Sequence, residues 1–366
     1  MKKFLKKIEL STKNIIKIAL KNKFKPQIIA EPTNCFNASN VKKVLFLRHD
    51  RIGDVLVSIP IFRNIKSKYP NIQFHILLSH KNFQLKDSIT KYSTKFYCYN
   101  KKILSTIKTI SKIRKEQYDL IIDLLDNDSA TSDLFLKFSK AKNLLGIQKE
   151  NQSNYTYVVP LLNKHKYHIV ERIAQLLLPF DINLSDIDLS LEYDLNDKDI
   201  LLGEERLGTK TKEIRLGINL SGSSPNKYWG KQNNIDFIKY VEQNYNNIEI
   251  IIFSVISFKS QALEIADNTN ARLAPNLPTF NEFASMIKTC DIILTPDTSV
   301  VHLASAWKKH CIALFSHIPG RIAMPWLPYK TQYIAITTES EDFASIPLSK
   351  VTEAFDKIYS IYINHP

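Results

Sequence analysis

Glycine is scarce in this chain. Only 8 of its 366 residues are glycine, where average usage is about 7%. A chain so poor in glycine keeps it where the backbone requires it, so each one is worth reading. The glycine-rich phosphate signatures are absent too: neither GxGxxG nor GxxxxGK[ST] occurs, which disfavours a nicotinamide oxidoreductase and a P-loop kinase. The 4 cysteines, Cys35, Cys98, Cys290 and Cys311, have no CxxC spacing, so neither a disulfide framework nor a zinc site is expected. Cys290 and Cys311 flank apolar runs and read as small buried hydrophobes. No run of about 18 uncharged apolar residues occurs, so no membrane-spanning helix is expected. The longest apolar stretch near the lysine-rich start is interrupted by Lys17. That is too short and too charged for a secretory signal, and the expectation is a cytoplasmic protein.

Acidic residues are the minority, 36 against 50 Lys and Arg, for a net charge of +14. The excess is uneven. Residues 1–25 hold nine lysines and one acid, Glu9, a net of +8. This segment reads as one basic amphipathic helix ending near Pro26, followed by a linker over 27–40. Such a helix suits an anionic membrane surface or an anionic substrate; a solvated tail, or a helix docked on the body, is the plainer reading. Nucleic acid is disfavoured, because no basic-aromatic interleaving or known binding motif appears.

From residue 43 short apolar runs alternate with helical periodicity. Strands are predicted at 43–48 (KVLFLR), 72–78, 95–99, 119–125 (DLIIDLL) and 143–147, with helices at 54–68, about 102–116, about 129–139 and about 167–178. The stretch 180–212 is acidic and polar without a long periodic element. The alternation restarts with strands at 214–220, 248–253, near Arg272, 291–295, 311–315 and 332–337. Helices are expected at 232–245, 259–268, 281–288, 298–308 and 347–362. Apolar strands separated by amphipathic helices imply parallel βαβ units. The expected architecture is α/β, with two doubly wound Rossmann-like domains and a basic N-terminal extension. The expected divisions are an extension and linker over 1–40, a first domain over 41–180, a connection over 181–212, a second domain over 213–346 and a C-terminal helix over 347–366. Doubly wound sheets bind ligands at the carboxyl ends of their strands, and a central cleft between two such domains is the default active site.

Three strand-end loops carry the candidate chemistry. The first is Arg48-His49-Asp50-Arg51-Ile52-Gly53-Asp54, holding the only glycine of the first 145 residues. Asp54 falls at or near a helix start, where it is either an N-cap or a carboxylate poised as general base. The second runs from Asn219 to Gly230. Its Ser221, Gly222 and Ser223 suit a phosphate cradle, Lys227 could neutralise a phosphate or remain a solvated lysine, and Trp229 could pack the loop. The third is Thr295-Pro296-Asp297-Thr298-Ser299, leading into VVHLASA. Thr298 or Ser299 would sit at a helix N-terminus, which favours an anion. Asp297 could orient the loop or a ligand hydroxyl. His302 lies one turn inside, either as a structural core histidine or as a ligand contact. Together the loops suit a nucleotide-sugar transferase, with the diphosphate on the second domain and the acceptor near a base on the first.

These residues resemble glycosyltransferase family 9, the heptosyltransferases of lipopolysaccharide core synthesis. LFLRHDRIGDVLVSIPIFRNIKSKYP is similar to the family's opening motif, INLSGSSPNKYWG to its middle motif, and TPDTSVVHLASA to its third, D-[ST]-[GS]-x-x-H-x-A, over about residues 43–330. The resemblance implies a GT-B fold and inverting transfer of a heptose from ADP-heptose to Kdo-bearing lipid A or the inner core of lipopolysaccharide. By motif position it implies Asp54 as catalytic base and Lys227 as stabiliser of the departing phosphates. Ser221, Gly222, Ser223, Asp297, Thr298, Ser299 and His302 fall in donor-binding segments, with Arg51 and Arg63 as candidates for the acceptor's charges. No cofactor or metal is expected beyond the nucleotide-sugar donor. The expected partners are that donor, an anionic lipid-linked saccharide, and the cytoplasmic face of the inner membrane through residues 1–25. The sequence leaves the oligomeric state open. Departures from the family pattern are Ser299 in place of a frequent glycine, Ser316 after CIALF, and no acid in the loop after IEIIIF. The alternatives are a family member using another nucleotide sugar or acceptor, such as a capsule glycan or a protein; an epimerase of the same fold; or a non-catalytic sugar-nucleotide-binding protein.

Overall fold

The computed structural model describes residues 25–364, apart from 223 and 277. The basic helix expected over 1–25 falls almost wholly outside the described residues. Among the described residues two compact units emerge: residues 25–163 with 169–189, and residues 164–168 with 190–364.

The first unit is a parallel sheet. Its strands are β1 (Gln27–Ile28), β2 (Lys43–Leu47), β3 (Gln73–Ser79), β4 (Lys95–Tyr99), β5 (Leu120–Asp123), β6 (Asn143–Ile147) and β7 (Tyr157–Val159). They lie in the order β1-β7-β6-β5-β2-β3-β4. The helices are α1 (Ile52–Lys68), α2 (Ile103–Lys115), α3 (Ala130–Ser139) and α4 (Ile169–Ala174). The central strands are apolar along their whole length because both faces are covered, as Val44 to Leu47 and Leu120 to Ile122 illustrate by being fully buried. Counting from β2, the order is 3-2-1-4-5-6 with β1 added at the edge. The switch point therefore lies between β2 and β5.

The second unit repeats the plan. Strands β8 (Ile214–Asn219), β9 (Ile248–Phe253), β10 (Arg272–Leu273), β11 (Ile292–Pro296), β12 (His310–Ser316) and β13 (Tyr333–Thr338) are parallel in the order β10-β9-β8-β11-β12-β13. This too is 3-2-1-4-5-6, with its switch point between β8 and β11. Helices α5 (Asp197–Leu207), α6 (Lys231–Asn244), α7 (Lys259–Asp267), α8 (Phe280–Lys288), α9 (Ser299–Ala306) and α10 (Leu348–Asn364) complete it. Cys290 and Cys311 are buried, as small hydrophobes would be.

Three local expectations are corrected. The stretch over 27–40, read as linker, contributes β1, which pairs in parallel with β7. The stretch 180–212, read as lacking a periodic element, contains α5. The helix expected over 167–178 is α4 followed by a 3-10 turn at Gln175–Leu177.

Candidate active site

In the first unit β2 delivers Arg48 to the carboxyl edge of the sheet, where its guanidinium is 2% exposed. Nε donates to the Asp54 carbonyl at 2.7 Å. One Nη donates to the Leu124 carbonyl at 2.9 Å and to Asp50 Oδ2 at 3.1 Å. Arg48 thus ties the loop after β2 to the end of β5, across the switch point. Asn82 adds a bond from Nδ2 to the Arg48 carbonyl at 3.0 Å. The loop is therefore held from three sides before any ligand arrives.

Arg51 takes the N-cap position of α1, and Asp54 is the third helical residue. Asp54 Oδ2 accepts the Arg51 N–H at 3.0 Å, closing the first turn. The other oxygen, Oδ1, lies 3.8 Å from the second Nη of Arg48. Asp54 is therefore not the N-cap itself but the third-residue member of a capping box, a role that occupies one carboxylate oxygen only. Burial pushes Asp54 up to about 7, Arg48 opposes that rise and Asp50 reinforces it. A carboxyl titrating near neutrality is what general-base chemistry requires.

Beneath this loop lies a buried polar layer. The His49 ring nitrogen Nε2 is 3.2 Å from Ser132 Oγ, and Ser132 Oγ donates to Asp123 Oδ1 at 3.1 Å. Asp123 Oδ2 accepts from Lys149 Nζ at 3.0 Å and from the Tyr155 hydroxyl at 2.7 Å. Burial alone would raise Asp123, but Lys149 and Tyr155 outweigh it and hold the carboxyl below its ordinary value. Burial pushes His49 down to about 4, so this imidazole is neutral at pH 7. The layer joins the ends of β2, β5 and β6 in one bonded network.

Arg51 is exposed beside the loop. Arg63 is not brought there. It lies nine residues beyond Asp54 along α1, about 13 Å of helix rise, and its Nη donates to the Asp188 carbonyl at 2.7 Å.

In the second unit the other two loops meet at the switch point. Asn219 ends β8, and its Nδ2 donates to Thr295 Oγ1 at 3.0 Å, to Thr298 Oγ1 at 3.3 Å and to the Ser221 carbonyl at 3.2 Å. It latches the loop after β8 to the loop after β11. Ser221 Oγ accepts the Val255 N–H at 2.8 Å, drawing in the loop after β9. Lys227 Nζ donates to Asp297 Oδ2 at 2.5 Å and to the Asp297 carbonyl at 2.9 Å. Both side chains keep partial exposure, 20% and 31%. Gly222 is forced by this approach, because a methyl group there would collide with Cβ of Lys227.

Trp229 anchors the loop from below. It is buried, and its indole Nε1 donates to the Ile346 carbonyl at 2.9 Å. Thr298 is the N-cap of α9 and accepts the Val300 N–H at 3.2 Å, so Ser299 opens the helix. His302 is buried one turn on, its ring 6.0 Å from that of Trp326. Ser221, Gly222, Lys227, Asp297, Thr298, Ser299 and His302 thus fall around one switch point. Ser223 lies outside the described residues.

Sequence reasoning missed Arg48, Asp123, Lys149 and Asn219 as builders of these loops. Three of them shared a readable signal, a polar residue closing an otherwise apolar strand. Lys149 carried none. Among the described residues, no group of three or more His, Cys, Asp or Glu side chains is placed to hold a metal ion, and no helix is long and apolar enough to cross a membrane.

The family model of glycosyltransferase family 9 (heptosyltransferase) matches residues 106–350. Lipopolysaccharide heptosyltransferase 1 of Campylobacter coli is 24% identical over 300 residues, covering 76% of this chain and 85% of that protein. Lipopolysaccharide heptosyltransferase 3 of Escherichia coli strain K12 is 22% identical over 298 residues, covering 77% and 85%. The solved E. coli heptosyltransferase WaaC with ADP-2-deoxy-2-fluoro heptose superposes with a TM-score of 0.68 at 13% identity, over 86% of this chain and 99% of that one. With two parallel doubly wound units behind these matches, the chain has the GT-B fold, belongs to glycosyltransferase family 9 and is a glycosyltransferase.

Proposed function

We propose that this glycosyltransferase moves a heptose from ADP-heptose, with inversion, to an anionic lipid-linked acceptor of the Kdo-lipid A or inner-core type. The reading is supported by relatives that carry lipopolysaccharide heptosyltransferase names and by the WaaC structure with an ADP-heptose analogue. The observation that carries it is the pairing of Lys227 with Asp297 beside the capped start of α9. A cation beside helix-terminal amides suits a leaving diphosphate. In this scheme the donor replaces Asp297 as the main partner of Lys227. Ser221, Gly222, Ser223, Thr298, Ser299 and His302 line the donor, and Asp297 turns toward a ligand hydroxyl.

Asp54 Oδ1 takes the proton of the attacking acceptor hydroxyl while Oδ2 stays on the Arg51 amide. The acceptor's sugar oxygen forms the new bond to the anomeric carbon as the bond to the diphosphate breaks, and the leaving charge falls on Lys227 and the α9 amides. Arg51, exposed beside Asp54, meets the acceptor's negative charge. The scheme calls for no metal. Residues 1–25, with their excess of lysine, favour the cytoplasmic face of an anionic inner membrane.

One observation favours a second reading, a family member with a different donor. The loop between β9 and α7 carries no acid for a ribose and instead exposes Val255 and Ile256. The deciding experiment is nucleoside diphosphate release from a panel of nucleotide sugars, with and without Kdo-bearing lipid A. ADP release from ADP-heptose only when acceptor is present supports the proposal. Turnover of another donor, with ADP-heptose inert, moves the protein to the second reading. Donor hydrolysis that ignores acceptor refutes transfer to this class of acceptor.

A further inference from the structure

Helix α2 departs from the pattern of a solvated surface helix. Its inward face is made by Thr106, Thr109 and Ile113, all buried. Its outward face presents Ile103, Leu104 and Ile107 at 78%, 82% and 59% exposure. Lys101, Lys102, Lys108, Lys112, Arg114 and Lys115 are all exposed around them, and no acid occurs between residues 100 and 115. Among the described residues none of these six cations has an ion-pair partner. At helical spacing Ile103 and Ile107 share a row with Arg114, and Leu104 shares one with Lys108 and Lys115. The helix start is also locally unfavourable. Lys102 at the N-cap makes no side-chain capping bond, no acid lies in the first turn, and Lys101 adopts a φ of 64°. Lys101 and Lys102 there oppose the helix dipole, and the bare apolar side chains oppose the hydrophobic effect. Lys112, Arg114 and Lys115, in the last turn, complement the dipole, so it is the apolar start with its flanking lysines that the folded domain alone leaves unaccounted for.

The topology sets where this face lies. α2 begins just past the carboxyl end of β4, and α1 begins just past that of β2, so both helix starts occupy one edge of the sheet. Tyr99, four residues before Ile103, sets its ring 5.9 Å from His49 of the Asp54 loop, edge to face. The apolar end of α2 is thus on the catalytic edge of its unit.

We propose that the outward face of α2 docks on an anionic lipid bilayer, with Ile103, Leu104 and Ile107 inserted at the headgroup boundary and the six cations over negative headgroups. Charge complementarity selects this occupant. Residues 1–25, the chain's own amphipathic segment, carry +8 and would be repelled by α2. A second copy would set one cationic face against another. Lying along the surface, the 13 residues of α2 give the first unit a fixed orientation, with the Asp54 loop next to the bilayer where a lipid-linked acceptor is rooted. This deepens the lipid-linked acceptor reading and rests on it for its purpose, but vesicle binding is read without any turnover.

The test is flotation of the full chain with vesicles of 30% phosphatidylglycerol in phosphatidylcholine and with pure phosphatidylcholine vesicles. Binding is expected only to the anionic vesicles, weakening as salt rises. Replacing Lys108, Lys112 and Lys115 together by alanine is expected to weaken it roughly 100-fold at low salt, and Leu104→Asp with Ile107→Asp on the order of tenfold or more. All five side chains are exposed, so unchanged circular dichroism and melting confirm intact folding. With the leader untouched, equal binding by both variants and the wild type overturns the proposal. So does binding that appears only when residues 1–24 are deleted, which would make the leader the occupant. A dimer in sedimentation that either variant dissociates would overturn it in favour of a second copy.

Discussion

If Asp54 is the base, protonating it should stop the reaction in a pH range set by its burial. The side chain sits at the third position of α1, 9% exposed, and is pushed from 3.8 up to about 7. With a soluble, delipidated acceptor, kcat/KM should be flat above this value and fall tenfold per pH unit below it. At pH 6 roughly one-tenth of the maximum should remain. Asp54→Asn should remove the limb and lower the plateau by about 10²- to 10⁴-fold. Stability gives an independent reading. The folded pKa is raised, so the folded state binds the proton more tightly than the unfolded chain. The stabilisation is complete below about 4 and is lost as pH rises to about 7. The gap between 3.8 and about 7 corresponds to on the order of 4 kcal/mol. Asparagine keeps an oxygen for the Arg51 amide and carries no charge. Asp54→Asn should therefore gain on the wild type in urea melts as pH rises from 5 to 8, while losing activity. An acid limb near 4 to 5, or a limb near 7 that survives in Asp54→Asn, would refute the assignment.

Three further outcomes follow from the same geometry. Lys227→Met should lower kcat by about 10²- to 10³-fold and change stability by less than about 1 kcal/mol, since the pair with Asp297 is partly exposed; urea melts and initial rates separate the two effects. Gly222→Ala should displace Lys227 through the collision at its Cβ, weakening donor affinity in calorimetry while the fold, anchored by Trp229, persists. Tyr155→Phe removes the hydroxyl that donates to the fully buried Asp123 and should cost about 1–3 kcal/mol in urea melts at pH 7. Asp123 is held below its ordinary value, so the loss should shrink as pH falls through that carboxyl's titration.

The alternation of strands and helices was legible because each central strand is buried on both faces and reads as a continuous apolar run. β1 and β7 were not, because two- and three-residue strands hold no period; the equally short β10 was anticipated from its place in the alternation of strands and helices, a cue that β1 and β7 lack. α5 escaped for a different reason. It buries only Gly203 and Leu207, and it packs on α8 by close approach of Gly203 to Ser285 rather than through an apolar stripe. The candidate site was legible where its chemistry lies within a single strand-end loop, as with Asp54, Lys227 and Asp297. Its supports were not. Arg48 reaches Leu124, 76 positions on, and Asp123 meets Lys149 only once β5 and β6 pair. Arg63, by contrast, lies nine positions beyond Asp54 on α1, about 13 Å of helix rise, and bonds the Asp188 carbonyl, a separation that nearness in sequence conceals.

The two units share one strand order, so topology alone cannot account for their different contents. What differs is the residue each strand carries to the switch point. In the first unit β2 is followed by a buried arginine, Arg48, whose Nε and one Nη bond carbonyls and Asp50, while its second Nη makes no hydrogen bond among the described residues and lies 3.8 Å from Asp54 Oδ1. The cation is enclosed beneath the loop rather than offered to a ligand, while burial raises the neighbouring Asp54. That switch point is poor for an anion and good for a proton acceptor. In the second unit β8 ends in Asn219, a neutral amide that joins two loops without using any charge. Lys227 and the start of α9 are left partly exposed, with Asp297 as an exchangeable partner. That switch point is good for an anion. Exchanging the two strand-end residues would then be expected to damage both units, because an arginine at 219 would compete with Lys227 for Asp297 and an asparagine at 48 would leave the Asp54 loop without its charge. On the proposed mechanism, the division of labour is written in two side chains on a repeated scaffold.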